Sequence, residues 1–116
     1  MLERLRAQAR AVGKRAETEL AGLDEDAAAR LSLALLAEAG LVAWTVPAAF
    51  GGADTGELAG SEQVSVRALC ALRDELAWHS GMLDVTFIIQ GLGSYPVALA
   101  GSDELRSAVL LSLIPT

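Results

Sequence analysis

With 15 acidic and 9 basic side chains in 116 residues, a formal net charge of −6, the chain lacks the basic stripe that a phosphate backbone needs, and nucleic acid is excluded as the expected partner. The hydrophobic fraction is 53% but aromatic content only 4%, so the apolar mass is Ala, Leu and Val, enough for one helical domain with a real core. A lone Cys70 excludes an intrachain disulfide and any cysteine-based zinc site.

Leu2, Leu5, Ala9, Val12, Ala16 and Leu20 recur every three or four residues, which predicts an amphipathic helix over about 2–21. Gly13 lies inside it, a weak point of up to ~1 kcal/mol where a bend or fraying is expected. Gly22 ends the run, and Asp24 caps a second helix over 25–39, with Glu25 and Asp26 at the positive end of its dipole. Leu31, Leu35, Leu36 and the alanines make that helix apolar on most of its circumference, so it is expected to pack on more than one side before Gly40 stops it. Helical signals vanish over 41–61, a loop that Trp44 and Phe50 pin to the bundle, with turn chemistry at Phe50-Gly51-Gly52-Ala53-Asp54. A third helix is predicted over 62–79, beginning near Ser61 or Ser65, with Val66, Leu69, Cys70, Leu72, Leu76 and Ala77 inside. Cys70 reads as a buried structural thiol.

The next stretch, Asp84 to Gly101, is predicted as helix, break, helix: 83–92, a Gly91-x-Gly93 interruption, and 95–100 with Pro96 in its first turn. Val85, Ile88, Ile89 and Leu92 follow the i, i+3, i+4, i+7 spacing and share a face that must be covered. Spacing alone leaves that face open to two readings, bundle core or ligand-pocket wall. Ser102, Asp103 and Glu104 start a last helix over 103–113 through Leu105, Val109, Leu110 and Leu113. The expected fold is all-α, a bundle of five to six helices in one domain, 1–116. No apolar run approaches the ~20 residues of a membrane span, and Glu3, Arg4, Arg6 and Arg10 do not form a signal-peptide core, so a cytoplasmic location is expected.

Chemical motifs are thin. Gly91-Leu92-Gly93 meets Pro96 where a dinucleotide fingerprint needs its last glycine, and no strand precedes it. Gly51, Gly52 and Gly56 are not followed by the Lys-Ser or Lys-Thr of a phosphate-cradling loop. His79 adjoins Ser80 on a helix, where neighbours point apart, so it reads as a dipole-favoured helix-end histidine rather than half of a catalytic couple. No catalytic, cofactor-binding or metal-binding set is expected within the chain.

Three ordered stretches carry a resemblance: Leu36-Ala37-Glu38-Ala39-Gly40-Leu41 running into Thr45-Val46-Pro47 and Phe50-Gly51-Gly52; Leu76-Ala77-Trp78-His79-Ser80-Gly81; and Gly91-Leu92-Gly93-Ser94-Tyr95-Pro96 with Ala100-Gly101-Ser102. In this order they resemble the N-terminal helical domain of the acyl-CoA dehydrogenases over nearly the whole chain. The resemblance implies a parent enzyme with a β-domain that binds FAD and a C-terminal helical domain that carries a glutamate base, neither motif lying in this sequence. It also implies that Val85, Ile88, Ile89 and Leu92 form part of the wall of the acyl-chain pocket, facing an acyl-CoA thioester that undergoes α,β-dehydrogenation in a homo-oligomer. Ala48, Ala49 and Phe50 depart from the family, which usually has acids and a tyrosine there. Flavin-dependent monooxygenases and nitroalkane oxidases share the same frame, and a helical interaction module without chemistry is the reading from a different class.

Overall fold

Four polar side chains fix where the main helices begin. In the computed structural model, which describes residues 1–110 and 112, Asp24 accepts from the Ala27 N–H at 2.8 Å and opens α2, Glu25–Glu38. Ser65 accepts from Ala68 at 3.1 Å and opens α3, Val66–His79. Ser80 accepts from Leu83 at 3.2 Å and opens α4, Gly81–Ala100. Ser102 does the same for Leu105 at 3.2 Å in α5, Asp103–Leu110. Each hydroxyl or carboxylate satisfies an amide that has no partner inside its helix, worth about 1 kcal/mol. With α1, Leu2–Glu19, these make five α-helices and, among the described residues, no strand, which is the all-α architecture expected.

The main core joins Leu5, Ala9, Val12 and Ala16 of α1, Leu35 and Leu36 of α2, Leu72 and Leu76 of α3, and Leu83 and Phe87 of α4. Trp44 enters it from the loop, whose chain turns twice in short 3-10 helices, Val42–Thr45 and Ala48–Phe50. A smaller core gathers Val46, Ala98 and Leu110, with Phe50, Tyr95, Val97 and Val109 around it. The Gly51-Gly52 pair has a local reason. Gly51 ends its turn at φ 97°, where a side chain is strained, and a Cβ on Gly52 would overlap the Val46 carbonyl.

Gly13 is not a point of weakness. Helix α1 runs straight through it, and His79 of α3 lies over it: a Cβ there would fall 2.6 Å from His79 Cγ. The missing side chain lets α1 and α3 close on each other. Arg6 with Asp74 at 2.8 Å, Arg10 with Glu75 at 2.9 Å and Glu17 with His79 at 2.5 Å line the same seam.

Several sequence expectations are corrected. The expected break at Gly91-x-Gly93 is absent: α4 is one 20-residue helix with Pro96 inside it. Two interior glycines and a proline cost roughly 5 kcal/mol in a helix taken by itself. Continuing the helix carries Tyr95, Val97 and Ala98 onto the second core, and that packing overrides the local cost. Joined in this way, α4 is long and apolar enough to cross a membrane by length and composition, contrary to the run-length reading. Its packing against α2 and α3 and its acidic first turn make it a bundle helix here. On α3 the inner face is Ala68, Ala71, Leu72 and Leu76, while Val66, Cys70 and Ala77 are exposed. Ala68 and Ala71 take inward positions, so the inward face is rotated from the one that Val66, Cys70 and Ala77 suggest. Helix α3 also starts at Val66 rather than 62, which lengthens the loop before it. Of the last helix expected over 103–113, Leu111 and Leu113 lie outside the described residues.

Candidate acyl-binding face

Helix α4 is apolar on two sides, and only one of them is covered. Leu83, Phe87, Ser94 and Ala98 turn into the bundle and are buried. The opposite side carries Val85, 49% exposed, Ile89, 52%, Leu92, 68%, and Leu99, 62%. Ile88 is half-buried at its border. Of the two readings left open by the spacing, core of this bundle therefore fails for Val85, Ile89 and Leu92. The structure brings the four sequence-selected residues onto one flank and adds Leu99 and Pro96, which continue their i, i+3, i+4 pattern past the glycines. The assumed break hid those two. The signal was available to any reading that carried the helical period through Gly91 and Gly93.

An ion pair fixes how this face is presented. Arg73 of α3 donates from Nε and Nη2 to the two carboxylate oxygens of Asp84, at 2.9 and 3.0 Å, in the bidentate geometry that specifies orientation as well as attraction. These hydrogen bonds raise the Arg73 pKa above the ordinary arginine value, with burial opposing and the Asp84 charge assisting. Asp84 lies in the first turn of α4, where its negative charge also complements the helix dipole. The pair clamps the start of α4 to α3 and sets the rotation of α4 about its axis.

Polar features elsewhere are already committed. An open groove of about 430 Å³ is lined by Ala49, Phe50, Gly51, Asp103, Arg106 and Ser107. Arg106 stacks over the Phe50 ring at 4.6 Å and donates to the Ala98 carbonyl at 3.1 Å, so its charge ties α5 to the loop. His79 is held by Glu17 over Gly13 as a seam residue. Among the described residues no three His, Cys, Asp or Glu side chains come together as a metal set. The starts of α2, α3, α4 and α5 are capped by a neighbouring Asp or Ser side chain, whereas that of α1 has no side-chain cap.

A model of the acyl-CoA dehydrogenase N-terminal domain matches residues 2–115. The chain belongs to that family. It is also similar to cyclohexane-1-carbonyl-CoA dehydrogenase from Geobacter metallireducens, 35% identical over 82 residues, 71% of this chain. The matched region is 20% of that enzyme, so the chain spans a small part of its relative.

Proposed function

We propose that this domain supplies one wall of the acyl pocket of an FAD-dependent acyl-CoA dehydrogenase, with Val85, Ile88, Ile89 and Leu92 touching the acyl group. The observation that carries the reading is the exposed aliphatic flank of α4, where Val85, Ile89, Leu92 and Leu99 are about half exposed or more among the described residues, with no charged residue among them. An apolar wall binds an acyl tail by removing its surface from water, at about 0.8 kcal/mol per methylene, and contributes no acid or base. Bound FAD would supply the hydride acceptor when an α-proton and a β-hydride leave the thioester. Flavin and base belong to further β and C-terminal helical domains or to a partner chain. The relative's name extends the candidate substrates to alicyclic acyl-CoA. Assembly as a homo-oligomer and a cytoplasmic location belong to the same proposal.

The experiment compares Ile89→Ala and Ile88→Ala in the complete enzyme, reading kcat/KM across acyl-CoA thioesters of increasing size. A change of one methylene in fit alters relative kcat/KM by about 10-fold or more. Ile89 is more than half exposed in this domain, so Ile89→Ala should shift the preference and leave the domain's melting temperature nearly unchanged. Half-buried Ile88 should show both effects. A flat preference in both variants refutes the assignment.

A further inference from the structure

Gly93 is a glycine without an internal reason. Its φ is not positive, since the positive-φ glycines are Gly22, Gly40, Gly51 and Gly56. A Cβ built on Gly93 meets no atom within 4 Å, whereas one on Gly91 rests on Thr45 at 3.6 Å and one on Gly13 collides with His79. Neither its backbone conformation nor close packing among the described residues requires it. In an exposed helix interior it costs about 1 kcal/mol relative to alanine. Gly93 lies one turn after Ile89 and one turn before Pro96, at the edge of the exposed apolar flank. The space left by its side chain therefore opens outward, next to the largest aliphatic groups of the face.

We infer that Gly93 determines acyl-group specificity: its missing side chain widens the pocket beside Ile89 and admits a branched or ring-bearing acyl group. The inference rests on the acyl-wall reading of α4. A straight polymethylene chain lies along Val85, Ile89 and Leu92 without needing the added width. A branch or ring needs lateral room within one helical turn of those side chains, and a methyl at Gly93 would take that room. The occupant is the acyl moiety of the thioester, because the large exposed side chains beside Gly93, Ile89 and Leu92, are apolar, and the amide of Gln90, one turn before it, is turned back to the Thr86 carbonyl at 3.4 Å.

The test measures kcat/KM in the complete enzyme for straight-chain and for branched or cyclic acyl-CoA thioesters of equal carbon number, with Gly93→Ala, Gly93→Val and Ile89→Ala, alongside melting temperatures. Gly93→Ala should lower the ratio of wide to straight substrates about tenfold, and Gly93→Val further, since each adds groups to a pocket wall. The melting temperature of Gly93→Ala should hold or rise, because alanine is the better helix former and its Cβ meets nothing. If Gly93→Val does not fold, Gly93→Ala decides alone. An unchanged ratio in the Gly93 variants beside a shifted preference in Ile89→Ala overturns the inference and leaves the acyl wall standing. An unchanged preference in all three overturns both. Equal losses on every substrate also overturn it, since they mark Gly93 as a packing position against another protein surface.

Discussion

Gly13→Ala tests whether the contact of α1 with α3 depends on a missing methyl group. The new Cβ would lie 2.5 Å from His79 Cδ2, 2.6 Å from Cγ and 2.8 Å from Cβ. Two of these are ring atoms and the third is the root of the side chain, so swinging the ring aside clears only part of the overlap. Either the helices separate or His79 leaves its rotamer, and overpacking of this kind costs about 1–3 kcal/mol. Replacing a helix-interior glycine with alanine returns about 1 kcal/mol. The net expectation is a loss of up to about 2 kcal/mol, each kcal/mol lowering Tm by roughly 4–8 °C in a domain near this size. Circular dichroism melts of wild type, Gly13→Ala, His79→Ala and the double variant read the coupling directly. In the His79→Ala background the two ring contacts are gone and only the 2.8 Å approach to the residue 79 Cβ remains, so Gly13→Ala should cost clearly less there. If Gly13→Ala destabilises equally in both backgrounds, the cost does not come from the ring and the seam argument is wrong.

Two further substitutions probe how α4 is held. Asp84→Asn keeps the shape but removes the charge that Arg73 grips; with Asp84 only 12% exposed and Arg73 at 45%, solvent screening limits the expected loss to about 1–2 kcal/mol, checked by chemical denaturation. The same variant should weaken turnover of every acyl-CoA alike in the complete enzyme, because it loosens the presentation of the whole flank rather than one contact. Ser94→Ala removes a buried hydroxyl, 2% exposed, that has no hydrogen-bond partner in the structure, and should hold or raise Tm, since an unsatisfied buried polar group costs about 1–3 kcal/mol. A lower Tm for Ser94→Ala would mean that the hydroxyl has a partner after all.

Local chemistry in the sequence reached the elements whose limits are set locally. Asp24 as a cap is readable from residue type and position, and the structure places its side chain on the Ala27 amide. Trp44 and Phe50 were legible as the anchors of the loop, and each enters a core. What was not legible depends on distant residues. Gly91, Gly93 and Pro96 carry the local chemistry of a break, and only the second core, formed with Val46 and Leu110 from other parts of the chain, makes continuity favourable. Gly13 reads as a weakness until His79, 66 positions later, is known to lie over it. Cys70 reads as an inside residue by its apolar character, yet α3 turns Ala68 and Ala71 inward and leaves Cys70 exposed.

The α4 flank combines both cases. The spacing of Val85, Ile88, Ile89 and Leu92 defines one side of a helix, but periodicity is silent about what covers that side. A one-sided amphipathic helix needs one apolar partner surface. Helix α4 needs two, because Leu83 and Phe87 are fully buried on one side while Ile89, Leu92 and Leu99 lie on the other. The bundle provides the first surface, and the Arg73–Asp84 pair keeps the helix from rolling to bury the wrong side. With rotation fixed, exposure of the second side is a property of the folded domain and not of a loosely packed helix. Nothing among the described residues covers it. For a member of the acyl-CoA dehydrogenase N-terminal family, an acyl group is the cover whose chemistry matches an uncharged aliphatic wall, and the response of substrate preference to Ile89 and Gly93 distinguishes it from a protein partner.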